Sequence, residues 1–294
     1  VHVNGSADHR LVMSALRGMR VRPAVVLTKH NTKPLTGIGH RWRAWAGTDQ
    51  VIAVCDYVRR QLLASPYARC RVATVFNGVD IEHFAPTPAD PAWRNGWASP
   101  VDDHTILIGS NAGTARYKGW MDGLEALALL APGERSRFRV VLAGSLPGAE
   151  ELARVAALGL TDQVRFTGPL DDVRSVVAAL DVGFVLSWDV ETISFACREM
   201  MAMGKPVLVS DYAGLPENVE PGTDGWVVPA RDHGAIAAGL RELIASRDRL
   251  PAMGAAARRH AEASFGLARF VNATEAVYAD LLASRSQARL PSTA

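Results

Sequence analysis

Ten short runs rich in Val, Ile and Leu recur along the chain with almost no polar alternation. They cover residues 1–4, 24–28, 50–55, 71–76, 105–108, 137–143, 164–167, 182–186, 206–209 and 225–228. A strand with one wet face alternates apolar and polar residues, whereas a strand covered on both faces does not. The runs therefore predict strands of parallel sheets flanked by helices. Stretches with helical spacing lie between them, at 11–17, 56–64, 119–130, 149–158, 173–179, 195–203, 235–246, 251–263 and 267–282. This alternation of strand and helix predicts an α/β architecture.

At 294 residues the chain has room for about two domains. The segment Ala85-Pro86-Thr87-Pro88-Ala89-Asp90-Pro91, with Ser99-Pro100 and Asp102-Asp103 beyond it, reads as linker. The predicted division is a first domain over 1–87, a linker over 88–103 and a second domain over 104–265. A helix over 266–285 then packs back on the first domain, and 286–294 form a disordered tail. Charge follows the same division. Residues 1–100 hold 13 Lys/Arg against 6 Asp/Glu, and the remainder 19 against 24, so the total of +2 hides a basic first third. That basic third is either a solvated face or the site of an anionic partner. Cys55, Cys70 and Cys197 are odd in number and form no C-x-x-C, which points to a reducing cytoplasmic interior. No apolar run reaches the roughly 18 residues of a membrane span, and no secretory signal pattern is visible.

The chemistry concentrates in residues 187–218. A buried strand ends near Leu186, a loop follows, and a helix starts near Ser194 and stops at Gly204. The junction offers backbone N–H groups of Ile193, Ser194 and Phe195, an arrangement suited to a diphosphate. Glu191 and Glu199 stand eight residues apart, and carboxylates suit sugar and ribose hydroxyls because each oxygen accepts them.

Several motifs occur together here. Glu199-Met-Met-Ala-Met-Gly-Lys-Pro-Val closes an E-x7-E segment. Ser210-Asp211-Tyr-Ala-Gly-Leu-Pro-Glu217 and Asp224-Gly-Trp-Val-Val-Pro229 follow it, and Phe76-Asn77-Gly78-Val79-Asp80-x3-Phe84 precedes it. In this order they resemble glycosyltransferase family 4. The resemblance implies the GT-B fold, two Rossmann-like α/β domains with parallel sheets. It implies that Glu199 holds the donor ribose, Glu191 the transferred sugar, and the 193–195 amides the diphosphate. Leu170, in Val164–Leu170, is implied at the base, with the Gly144-Ser-Leu-Pro147 turn close by. Gly109-Ser110 opens the phosphate loop, and Lys118-Gly119 matches the family's R-K-G, with Arg116 the candidate for its second cation. The family's early Arg is missing, because Ser110-Asn111-Ala112 stands there. His30, in Thr28-Lys29-His30, resembles the T-x-H histidine near the transferred sugar or acceptor. His9, His40 and His83 have no comparable placement.

The resemblance further implies a retaining, hexosyl-type transfer from a nucleotide sugar to a glycan or lipid-linked acceptor, in cell-envelope polysaccharide or glycolipid synthesis. Asp189-x-Glu191 is a faint D-x-D, but two cations on the diphosphate make a metal redundant, so no metal and no separate cofactor are expected. No carboxylate in the motifs is a convincing nucleophile, which points to front-face transfer. Members of the family open with a strand, a glycine-rich loop and a helix, whereas Val1–His9 resembles a later strand of the first domain. The expectation is a truncated first domain and weak or absent activity. Two other readings share the fold: a non-catalytic nucleotide-binding module and a sugar-nucleotide epimerase. Trp42 and Trp45 among the arginines of the first third suggest a peripheral membrane contact, and no nucleic-acid module is recognisable.

Overall fold

The structure is a computed structural model that describes residues 1–95, 97–98 and 101–287. It divides into two compact units, one made of Val1–Gly78 with the chain from Gly266 onward, the other of Val79–Phe265.

The first unit is built from β1 (His2–Val3), α1 (Ser6–Ala15), β2 (Val26–Lys29), α2 (Ile38–Ala46), β3 (Gln50–Ala53), α3 (Asp56–Leu63) and β4 (Arg71–Thr74). Its sheet runs β1-β2-β3-β4, all parallel. The helix Leu267–Gln287 also belongs here. Its Val277 and Leu281 pack with Val26, Ile52 and Val75 in one apolar cluster. Gly78 permits this, because a Cβ there would press on the Leu267 backbone.

The second unit contains β5 (Ile106–Ser110), α4 (Trp120–Ala128), α5 (Pro132–Arg135), β6 (Phe138–Leu142), α6 (Ala149–Ala157), β7 (Val164–Phe166) and α7 (Arg174–Ala179). It continues through β8 (Val182–Val185), α8 (Phe195–Ala202), β9 (Val207–Ser210), β10 (Gly225–Val228), α9 (His233–Ala245) and α10 (Leu250–Ser264). Six parallel strands run in the order β10-β9-β8-β5-β6-β7. Successive residues of a strand serve opposite faces. Ile106, Val140, Phe184 and Leu208 pack under α4 and α9, while Leu107, Val141, Val185 and Val209 pack under α7 and α8. Both faces are covered, which is why the strands read as unbroken apolar runs. The helix Leu267–Gln287, α11, closes the chain order.

All ten predicted strands are present, with ends moved by two residues at most. Two helices were not anticipated. α5 is a single turn. α2 has Gly37 at its N-cap, with φ 89° and no side-chain cap, so no start signal precedes it. It also turns apolar residues outward: Ile38, Trp42 and Trp45 are 86%, 52% and 70% exposed.

The predicted boundaries need correction. The units change at Gly78/Val79 rather than at 87, because the Val79 amide bonds to the Phe265 carbonyl at 2.7 Å and Ile81 and Phe84 pack on the second unit's core. The described residues of 88–103 are not a free linker. Pro91–Trp93 form a 3-10 turn, Trp93 and Trp97 pack on the same core, Arg165 stacks 3.9 Å over the Trp97 ring, and Arg94 pairs with Asp181 at 2.6 Å. Ser99-Pro100 lies outside the described residues. The predicted tail loses residues 286–287 to α11, and 288–294 lie outside the described residues. Among the described residues no helix is long and apolar enough to cross a membrane.

Candidate active site

The second sheet changes direction at β5. The chain moves outward through β6 and β7, then returns to place β8 on the other side of β5. Open parallel sheets take ligands at such a switch point, beyond the carboxyl ends of the strands. The loops after β5 and β8 therefore frame the candidate site. Among the described residues, every non-glycine residue with positive φ lies in a loop after β8, β9 or β10: Val190, Ser194, Ala213 and Arg231. Each costs of order 1–3 kcal/mol and persists only where its surroundings fix it.

Gly119 draws the two loops together. Its φ is 72°, and a Cβ there would overlap the Leu186 carbonyl oxygen at the end of β8. This close approach lets the Trp188 amide donate to the Tyr117 carbonyl at 3.0 Å. Lys118 is thereby delivered to Glu191, with Nζ 2.8 Å from Oε2 and both side chains largely buried. The other carboxylate oxygen, Oε1, accepts from the Thr192 and Ser194 amides, each at 3.2 Å. Ser194 caps α8, its hydroxyl accepting from the Cys197 amide at 3.4 Å. In this structure the α8 entry thus holds an internal anion, Glu191, beside a cation.

Glu199 lies in the second turn of α8. Its Oε2 accepts from Asn111 Nδ2 at 2.7 Å. Burial pushes its pKa above the ordinary glutamate value, and the Asn111 bond and the nearby His83 oppose that shift. Asn111 and His83 are partners that sequence reasoning missed. Asn111 stands where the family carries its early arginine, and His83 has no motif of its own.

The remaining predicted residues divide. Ile193 and Ser194 are buried at the α8 entry, and Phe195 is exposed beside them. Gly144, with φ 151°, packs against Gly113, and the Thr114 hydroxyl donates to the Ser145 carbonyl, so the loops after β5 and β6 are joined. Leu170 is exposed in the loop after β7. Gly109 precedes the loop after β5. It is a β5 residue in register with Val141 and Gly183, and a Cβ there would strike Val141 and Leu180. Ser110 is likewise a buried strand residue whose hydroxyl accepts from the Ala112 amide at 3.2 Å, so the turn starts at Asn111. Arg116 is exposed and borders a groove between α4 and α6 with Trp120, Glu151 and Arg154, and no contact joins it to Glu191. A different cation, Arg231, stacks 4.9 Å over Trp188 beside the β8 loop.

His30 belongs to the first unit, just past the carboxyl end of β2. It donates from Nε2 to Asn4 Oδ1 at 3.0 Å, and enclosure lowers its pKa. Its neighbour Lys29 is buried, with a pKa lowered to about 8, and donates to Asn31 Oδ1 and the Lys33 carbonyl at 2.7 Å each. Among the described residues no group of three His, Cys, Asp or Glu side chains has the geometry to hold a metal ion.

The family "Glycosyltransferase Family 4" matches residues 1–83, and "Glycosyl transferases group 1" matches 103–246. A GDP-mannose-dependent alpha-(1-6)-phosphatidylinositol monomannoside mannosyltransferase of Mycobacterium tuberculosis is 30% identical over 72% of this chain, which spans 57% of that relative's length. A D-inositol 3-phosphate glycosyltransferase of Kineococcus radiotolerans is 31% identical over 96% of this chain and 68% of its own. Among solved structures, Anabaena HepE in complex with UDP superposes with a TM-score of 0.78 at 20% identity, over 96% of this chain and 78% of that one. Sucrose-phosphate synthase from Thermosynechococcus elongatus gives 0.76 at 20% identity, over 96% and 73%. At that identity the two structures speak for the fold, which is GT-B. With both family matches in order along two parallel-sheet units, and a relative this similar over nearly the whole chain, the protein belongs to glycosyltransferase family 4.

Proposed function

We propose that the chain is a retaining glycosyltransferase that moves a hexose from a nucleotide-sugar donor to a glycan or lipid-linked acceptor, in cytoplasmic steps of cell-envelope polysaccharide or glycolipid synthesis. The observation that carries this reading is the Lys118–Glu191 pair at the α8 entry, set at the switch point of the second sheet. An ammonium and amide N–H groups, fixed before the reaction, stabilise the charge that grows on a departing diphosphate. Glu199 accepts ribose hydroxyls, and Glu191 is released to the hydroxyls of the transferred sugar once the diphosphate takes its place. Lys118 and the α8 amides supply the charge stabilisation, so no metal is required. The C1–O bond to phosphate breaks while the acceptor oxygen bonds C1 on the same face. The acceptor proton passes to the departing phosphate oxygen. In the first unit, His30 is the residue that the family likeness assigns to the sugar or acceptor.

The names of the relatives, a GDP-mannose-dependent mannosyltransferase among them, support donor chemistry of this class. The test is a calorimetric screen of UDP-, GDP- and ADP-sugars against the whole chain, followed by transfer assays. Lys118→Met is expected to reduce transfer about 100- to 1000-fold. Excess EDTA leaves the rate unchanged, and the product keeps the donor anomer. Failure of every nucleotide sugar to bind, or an inverted product, overturns the reading.

A second observation supports a location. The outward face of α2 joins three exposed apolar side chains to Arg41, and the helix carries no acidic residue. We propose that it meets an anionic membrane surface, where a lipid-linked acceptor resides.

A further inference from the structure

Asn111 carries an observation that the donor reading leaves unused. Its Nδ2 donates to Glu199 Oε2 at 2.7 Å. An ionised carboxylate only accepts, so the amide nitrogen must face Glu199 and the amide oxygen must point elsewhere. That oxygen, Oδ1, is buried, and no hydrogen-bond donor meets it among the described residues. Buried acceptors are nearly always paired, and an exception calls for an explanation. Asn111 is the first residue beyond β5, so it stands at the sheet's switch point, where open parallel sheets take ligands.

We propose that Asn111 is a nucleotide-binding residue: its Oδ1 accepts one hydroxyl of the ribose diol while Glu199 accepts the other, which makes the site selective for ribonucleotides over deoxyribonucleotides. This rests on the reading that the second unit binds a nucleotide sugar through Glu199. Two adjacent hydroxyls offer two donors, and the Asn111–Glu199 pair offers two adjoining acceptors tied by one hydrogen bond. Removing one hydroxyl from the ligand leaves a buried acceptor unpaired again. Sites built to bond a hydroxyl reject its absence far more strongly than apolar pockets reject a missing methylene. Aspartate is no substitute at this position, because two carboxylates in contact resist joint ionisation.

The experiment titrates the whole chain with UDP, GDP and ADP and with their 2′-deoxy and 3′-deoxy counterparts. The ribonucleotide that binds is expected to exceed one of its deoxy forms by at least about 30-fold. Asn111→Ala is expected to lose about 10-fold for the ribonucleotide and little for that deoxy form, collapsing the ratio. Asn111→Asp weakens both, and more at pH 7 than at pH 5. Melting temperatures check folding, and Asn111→Ser replaces the alanine variant if that melts early. A folded alanine or serine variant with the wild-type ratio overturns the proposal. Absence of binding by the wild type, or wild-type binding by Glu199→Ala, instead defeats the donor reading beneath it.

Discussion

Lys118 Nζ lies 2.8 Å from Glu191 Oε2, and the opposite oxygen of that carboxylate accepts from the Ser194 amide at 3.2 Å. One side chain thus occupies both a cation and a helix entry, the two features that suit an incoming diphosphate. Binding a diphosphate must displace it. Glu191→Ala is therefore expected to bind nucleoside diphosphate about 10-fold more tightly, since a competing internal charge-assisted bond is gone. Transfer should fall about 100-fold in the same variant, because the sugar loses its carboxylate. Calorimetry and initial rates check the two effects separately. Weaker diphosphate binding in the variant would falsify the displacement.

Glu199 gives a pH dependence with a definite sign. Burial raises its pKa above the ordinary glutamate value. A ribose hydroxyl is accepted best by the ionised form, so donor affinity should be lost on acidification earlier than for an exposed glutamate. In Glu199→Gln this acid limb should disappear, with binding about 10- to 100-fold weaker at neutral pH. Stability runs the other way. A group whose folded pKa is raised holds its proton more tightly in the folded state, so its contribution to stability grows as pH falls from the folded pKa toward the unfolded one. Glu199→Gln should then melt no lower than wild type at pH 7. A melting temperature several degrees below wild type would contradict this.

Much of this architecture was legible because double-sided burial leaves a plain trace. Val207-Leu208-Val209 feed opposite cores from neighbouring positions, so no polar residue interrupts them. The α8 start was readable from Ser194, and the stop from Gly204, with φ 72°. What stayed hidden depended on contacts distant in sequence. Asn111 meets Glu199 only because β5 and β8 are neighbours, and His83 approaches Glu199 only because the chain after Val79 folds onto the second unit. The stretch before residue 103 has the composition of a linker, yet Trp93 and Trp97 bind it to a surface. Prolines and aspartates mark an irregular backbone, but irregular backbone can still be packed.

Gly119 is expected to tolerate no side chain. It combines φ 72° with contact on the Leu186 carbonyl, the approach that carries Lys118 to Glu191. Gly119→Ala should cost about 2–4 kcal/mol, the sum of left-handed strain and a shifted loop. Chemical denaturation measures the stability, and transfer should fall with Lys118→Met-like severity even where the variant stays folded. An alanine variant of normal stability and rate would show that the approach is dispensable.

The outward face of α2 yields the last prediction. Ile38, Trp42 and Trp45 recur at i, i+4 and i+7, so they lie along one side of the helix, and that side is exposed. A helix in a soluble fold normally turns such a stripe inward. Here the inward positions are Arg43 and Ala44, and Arg43 Nη2 donates to His40 Nδ1 at 3.0 Å. Aromatic rings of this kind settle at a lipid headgroup boundary, and each Lys/Arg near an anionic surface adds about 1 kcal/mol. The whole chain should therefore co-sediment with vesicles containing phosphatidylglycerol, and less with pure phosphatidylcholine. Trp42→Ser with Trp45→Ser should lower vesicle affinity about 10-fold or more while leaving nucleotide binding unchanged, because the second unit is untouched. Raised salt should weaken the wild type further, since part of the attraction is screened. Equal binding to neutral and anionic vesicles, or full binding by the double variant, would remove α2 from any membrane role.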